Sequence, residues 1–295
     1  MNKFERALLA TLGCAPLLAW AAPATTVFAA GDIAYCATPQ TQWSGAAATA
    51  QLVATHLERD PRAAVLLLGD NVYQRGSASE YANCYHPTWG RFKERTFPSP
   101  GNREYATPGA HGYFDYFGPA AGPGYYSVQL GAWRVLSLNS NLSGAEQATQ
   151  LAWLAAELNR HPSRCTLAYW HHPLYSSGMH GSYSHMRAAW QLLQRAGAEM
   201  VLSGHDHTYE RFAPQDAEGR LDRARGIRQF VVGTGGSYYT PFLWPLPHSE
   251  MRDNSRFGVL RLDLLEQGYR WEFLEAVHDG FPDGQRADRG EGRCH

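Results

Sequence analysis

Five short segments hold nearly all the metal-ligand chemistry this chain offers. They are Gly31-Asp32, Gly69-Asp70-Asn71-Val72-Tyr73, Gly101-Asn102-Arg103-Glu104, His171-His172-Pro173 and Gly204-His205-Asp206-His207. Carboxylates are hard oxygen ligands, and imidazoles suit iron, zinc and manganese far better than magnesium. The natural occupant of such a set is a pair of cations about 3.5–4 Å apart, and the natural chemistry is hydrolysis of a phosphate ester. One carboxylate should bridge the pair. Asp70 is the best candidate, because it directly follows the most hydrophobic run of the chain, where a rigid strand end would fix its geometry. Taken alone, Gly31-Asp32 reads as a turn and His171-His172-Pro173 as a surface turn; the ordered set is what points to metal. His205 and His207 are two apart, so on a regular strand they would face opposite sides. A loop past the strand end would let both aim inward, each at a different ion.

Almost every segment follows a stretch that reads as a strand. Thr26–Ala30, Ala63–Leu68, Thr96–Pro100, Thr166–Trp170 and Glu199–Leu202 lead into the five motifs in turn. Ala63–Leu68 is continuously apolar, as in a strand covered on both faces. Helical spacing runs over Ala46–Leu57, Ala145–Leu158 and Ser184–Ala196, the last with Ser184 as a cap. Tyr125–Leu130 and Trp133–Leu138 flank Gly131-Ala132 as a hairpin. Residues 74–96 show no period. The last third carries antiparallel signals over Gln229–Val232, Phe257–Leu264 and Tyr269–Leu274, and Gly233-Thr234-Gly235-Gly236 reads as a tight strand-to-loop turn. The tail from Asp279 is polar and Gly-rich and reads as loose apart from Cys294. These elements predict an α/β (α+β) fold, a four-layer αββα sandwich of two mixed sheets flanked by helices. No linker divides the chain, so one domain is expected over 22–295. Sites in open α/β sheets gather at the carboxyl ends of strands, where every motif lies.

Composition narrows the function. Charge nearly balances, with 26 Lys+Arg against 27 Asp+Glu in 295 residues. No basic excess exists to follow a nucleic-acid backbone, so nucleic acid is not expected as the main partner. Lys3 and Arg6 precede an apolar run over Ala7–Ala19, and Ala19-Trp20-Ala21 fits a cleavage site, so residues 1–21 read as a signal peptide. An uncleaved anchor and a lipoprotein site at Cys14 are the alternatives. The apolar run is short for a bilayer, and no other segment is apolar enough to span one. Secretion or a periplasmic location follows. Loss of the leader leaves Cys36, Cys84, Cys165 and Cys294, an even number that suggests disulfides in an exported chain. Four cysteines allow three pairings. Cys36–Cys84 is favoured because each follows a carboxylate motif, leaving Cys165–Cys294 to fasten the C-terminus; free buried thiols are the other reading. Asn141-Leu142-Ser143 is a glycosylation sequon.

The ordered motifs resemble the calcineurin-like metallophosphoesterase family and, within it, the purple acid phosphatase branch. The first motif reads Asp32-Ile33-Ala34, where most of that family carries Asp-x-His, and the second supplies Tyr73 three residues after Asp70. Both are marks of the branch. The resemblance implies one metal on Asp32, Asp70, Tyr73 and His207, and another on Asp70, Asn102, His171 and His205. It implies Fe(III) at the tyrosine, with Fe, Zn or Mn beside it. Tyr209-Glu210-Arg211 also matches the branch, with structural support as its preferred reading, and the extra N-terminal domain of the larger plant enzymes is not expected. One departure stands out: Arg103 replaces the third-motif histidine that would protonate the leaving group. A guanidinium is a poor acid but can hold a phosphate oxygen. His180, nine residues after His171, and His172 are the replacement candidates for the acid.

Three functions compete. The leading one is an exported phosphatase that hydrolyses monoesters of small phosphorylated substrates by attack of metal-bound hydroxide. The second is a phosphodiesterase or nucleotide pyrophosphatase on the same site, whose better leaving groups need less protonation. The third is a catalytically weak phosphate-binding homologue. The sequence carries no signal for oligomeric state.

Overall fold

Local sequence sets the elements in the computed structural model, which describes residues 24–37, 44–276 and 288–295. The signal expected over 1–21 lies outside them. The first half runs β1 (Thr25–Ala30), β2 (Ala34–Tyr35), α1 (Gly45–Arg59), β3 (Ala64–Leu67), β4 (Val72–Tyr73), α2 (Ala78–Glu80), β5 (Thr96–Phe97), α3 (His111–Phe117), β6 (Tyr126–Leu130), β7 (Trp133–Ser137) and α4 (Gly144–Arg160). The second half runs β8 (Cys165–Tyr169), α5 (Arg187–Arg195), β9 (Met200–Ser203), β10 (Tyr209–Phe212), β11 (Arg228–Val232), β12 (Ser249–Asp253), β13 (Gly258–Leu265), β14 (Gly268–Glu275) and β15 (Arg289–Arg293).

Two mixed sheets result, in the orders β15-β14-β13-β1-β3-β5 and β12-β10-β11-β9-β8-β7-β6, with a small β2-β4 pair between motif loops. Their parallel centres are β1-β3-β5 and β7-β8-β9-β11. Alternation along the second sheet separates its faces. Leu167, Tyr169, Met200 and Leu202 join the core shared with the first sheet and α1. Ala168, Trp170 and Val201 face outward into a second core with Leu154 of α4 and Trp190 and Leu193 of α5. Helix, sheet, sheet, helix is thus the layer order, as expected.

Several local expectations need correction. β11 lies parallel to β9, although it is antiparallel to β10. Ser184 does not cap α5; it opens a short 3-10 turn, and Met186 stands at the N-cap with no side-chain bond. The tail is not loose where it is described: β15 adds an edge strand to β14. Residues 74–96 fold into short turns, starting with a capping box in which Ser77 and Glu80 serve each other's backbone N–H. Both expected disulfides form, Cys36–Cys84 across 48 residues and Cys165–Cys294 across 129.

Candidate metal centre

The strand tips of both sheets meet at one place. Gly31 N–H donates to Val232 O of the other sheet at 2.9 Å, and Asp32 N–H to Gly69 O at 3.0 Å. His171 and Gly204 are tied by a 3.0 Å bond from Gly204 N–H to His171 O. Three motif residues sit in the left-handed region: Asp32 (φ 60°), Asp70 (φ 49°) and His205 (φ 73°). Each costs about 1–2 kcal/mol for a non-glycine residue, and such strain collects at functional sites. At His205 the reversal breaks strand alternation and lets His205 and His207 both face the cluster. Two motif glycines are required by close approach. A Cβ on Gly101 would stand 2.2 Å from Asp70 Oδ1, and one on Gly204 would stand 2.6 Å from Asp32 Oδ2.

All seven expected ligands converge. His171 Nδ1 donates to Leu68 O at 2.9 Å, so its Nε2 presents a lone pair when the ring is neutral. That Nε2 faces Asn102 Oδ1 at 3.1 Å, His205 Nδ1 at 3.2 Å and Asp70 Oδ1 at 3.4 Å. On the other side, His207 Nδ1 donates to Tyr238 O at 2.9 Å, and its Nε2 faces Tyr73 Oη at 3.1 Å and Asp32 Oδ1 at 3.3 Å. Tyr73 Oη closes the ring on Asp32 Oδ1 at 2.5 Å. Buried acceptors pointed at one another cost free energy unless a cation or a proton stands among them. The donor set therefore fits metal cations: Asp32, Asp70 and His171 bring ligand atoms within 4.8 Å of one another, and so do His171, His172 and His205.

Electrostatics agree. Burial lowers the His171 ring, but Asp70 and Asp32 outweigh it and hold its pKa up to about 9. Burial raises Asp70, yet His171 brings its carboxyl below the usual range. Burial lifts Asp32 to about 7 against the attraction of His171. Without a cation, His171 is thus the group that carries the compensating charge. Burial depresses His207 to about 4 and, with the neighbouring imidazoles, puts His205 far below its ordinary value, so both are neutral and ligand-ready. Burial and Asp32 push the Tyr73 phenol well above 10.

The expected substrate-side residues separate. Arg103 donates its backbone N–H to Asp70 Oδ1 at 2.8 Å, and its guanidinium lies over the Tyr73 ring at 5.5 Å. Its Nε is buried with no hydrogen-bond partner. His180 is exposed, with its ring 4.9 Å from that of His205. His172 is buried, and its Nδ1 lies 2.8 Å from Ser140 Oγ.

Sequence reasoning missed the residues that hold the ligands. Glu104 is fully buried and accepts the backbone N–H groups of Gly101 (2.6 Å), Asn71 (2.9 Å) and Asp70 (3.0 Å). An acidic residue inside the third motif was the available signal. Asp206 turns away from its histidine neighbours to accept from Ser176 Oγ and His180 N–H. Tyr183 Oη lies 2.8 Å from His205 Nε2. The Tyr-Glu-Arg segment is structural: Tyr209 and Arg211 bind Asp288, and Glu210 accepts from Ser177.

Comparison with known proteins assigns the class. A family profile described as calcineurin-like phosphoesterase matches residues 25–209, and the chain belongs to that family. Within it, the chain is purple acid phosphatase-like. It is 32% identical over 152 residues to purple acid phosphatase 21 of Arabidopsis thaliana, covering 48% of this chain and 34% of that one. It is 33% identical over 162 residues to an acid phosphatase of Aspergillus ficuum, covering 49% and 24%. The matches thus span about a third or less of those relatives. Among solved structures, the fold is similar to purple acid phosphatase PPD1 from yellow lupin seeds, with a TM-score of 0.71 at 19% identity over 92% of this chain and 54% of that one. It is also similar to GAP50, the anchor in the inner membrane complex of Plasmodium, with a TM-score of 0.67 at 13% identity over 92% and 90%.

Proposed function

We propose that this chain is an exported binuclear-metal phosphatase that hydrolyses phosphate monoesters of small substrates, formed as one domain over 22–295 after loss of residues 1–21. The observation that carries this reading is the convergence of buried ligand atoms from separate strand tips: Asn102, His205 and Asp70 around His171 Nε2, and Tyr73 and Asp32 around His207 Nε2. Export is supported by the two disulfides.

Asp32, Asp70, Tyr73 and His207 would hold one ion, and Asp70, Asn102, His171 and His205 the other. Tyr73, whose phenol resists ionisation, favours a strongly acidic trivalent ion, Fe(III), with Fe, Zn or Mn as its neighbour. Such a pair supplies Lewis acidity and an activated water. The protein's residues do the rest. Arg103, whose side chain is partly exposed and whose Nε stands 3.9 Å from Asp70 Oδ2, would clamp a phosphate oxygen with its guanidinium. His180 donates the proton to the leaving oxygen, because it is exposed beside the site. His172 suits that role less: burial and His171 force its ring pKa far down, and Ser140 occupies its Nδ1.

The test is release of phosphate from an aryl phosphate by purified protein and its loss in Asp70→Ala; full activity in that variant removes the assignment. Arg103 favours one second reading, a diesterase or pyrophosphatase whose good leaving groups need no histidine acid. Monoester against diester turnover decides between them.

A further inference from the structure

Among the described residues, five large hydrophobic side chains are strongly exposed, and four of them fall on two segments beside the metal cluster. They are Met179 (47% exposed), Tyr239 (39%), Leu243 (53%) and Trp244 (80%). Clustered apolar exposure of this kind marks a binding surface rather than ordinary surface composition.

The two segments are fastened to each other and to the ligands. Leu243 N–H donates to Ser177 O at 3.0 Å, Leu246 N–H to Ser177 Oγ at 2.9 Å, and Gly178 pairs with Phe242. Below them stand two buried carboxylates. Asp206 accepts His180 N–H at 2.8 Å, and Glu210 accepts Ser177 N–H at 2.9 Å. The second segment starts where Tyr238 O accepts from His207 Nδ1, and Thr240 Oγ1 accepts His207 N–H at 3.1 Å. Pro241, Pro245 and Pro247 fix its backbone further. A rigid apolar rim therefore runs from Met179, next to His180, to Trp244. Neither Ser176–His180 nor Tyr239–Leu246 contains a charged Asp, Glu, Lys or Arg.

We infer that this rim receives the organic half of the substrate, and that the half it fits is an aromatic or bulky apolar alcohol carrying a single phosphate. The phosphate itself belongs to Arg103 and the metal cluster. A sugar polyphosphate or a nucleoside triphosphate would bring further anionic groups to two segments that carry no Lys or Arg, with His180 only at the end beside the metal cluster. This inference rests on the phosphatase reading above.

The test compares kcat/KM for 2-(1-naphthyl)ethyl phosphate and ethyl phosphate in the wild type and in Trp244→Ala. Both leaving groups are primary alkoxides of similar basicity, so their ratio reports contact with the rim rather than ease of departure. Trp244 is 80% exposed, so the substitution removes no core packing. The ratio should fall about tenfold in the variant, mainly through KM, as for the loss of an aromatic contact. Met179→Ser should lower it in the same direction. An unchanged ratio in both variants, as expected if the rim serves a protein or a membrane instead, overturns this inference and leaves the phosphatase reading intact. Wild-type protein that turns over neither ester overturns both.

Discussion

β8 and β9 each have two ends, and the ends are built on opposite rules. At the amino ends, Cys165 is bonded to Cys294, and Glu199 accepts the His295 N–H at 2.7 Å with His295 Nδ1 at 3.2 Å. Donor meets acceptor there, and a disulfide closes the edge. At the carboxyl ends, His171 and His205 point ring nitrogens at each other at 3.2 Å, and His205 stands in the left-handed region. One end of the same two strands stabilises the fold, while the other gathers buried ligand atoms on strained backbone. Proteins commonly place function where stability is given up. The contrast locates the metal centre without appeal to resemblance.

This contrast can be broken in order of expected effect. Asp70→Ala removes the carboxylate assigned to both ions, and aryl phosphate turnover should fall at least about a thousandfold while the protein stays folded. Chemical denaturation and steady-state kinetics on the same sample check both halves. Opening Cys165–Cys294 by Cys294→Ser should do the reverse. It should cost about 4 kcal/mol of stability, because the closed loop is long, with turnover per folded molecule retained. Glu104→Ala should sit between the two classes. It leaves three backbone N–H groups without an acceptor and should cost about 3 kcal/mol, with metal affinity reduced in an isothermal titration.

The smallest effect belongs to Glu199. Burial holds its carboxyl up to about 7, against the pull of the His295 N–H. A folded-state pKa raised above the unfolded value of 4.5 gives stability that is present below that value and lost as pH rises through about 7. Glu199→Gln should remove that loss. At pH 8.5 it should be more stable than the wild type by about 1 kcal/mol, after allowing for solvent screening, and the gap should close by pH 4. Urea unfolding at the two pH values measures it.

How much was legible in the sequence follows the same physics. Ala63–Leu68 announced β3 because a strand covered on both faces must be apolar throughout, and Asp70 could be placed at its tip. β12 and β15 left no signal. Their sequences, Ser-Glu-Met-Arg-Asp and Arg-Gly-Glu-Gly-Arg, belong to edge strands that alternate only between half-buried and exposed, so no fully buried face selects apolar residues there. β10 was hidden within the Tyr209-Glu210-Arg211 segment. The convergence of the candidate ligands was legible because their residue types and order carry the chemistry directly. Glu104, Asp206 and Tyr183 were not assigned roles, because most of their contacts lie 22 to 34 residues away in sequence. The substrate rim was invisible for the same reason. Its two halves, around Met179 and Trp244, meet only because Ser177 binds Leu243 and Leu246.

Metal content read together with the visible spectrum tests the central claim most directly. Protein purified away from chelators should carry two ions per chain, one of them iron, with a tyrosinate charge-transfer band that disappears in Tyr73→Phe. A folded protein that binds no metal under these conditions, or an iron-loaded one whose spectrum is unchanged by Tyr73→Phe, would contradict the account.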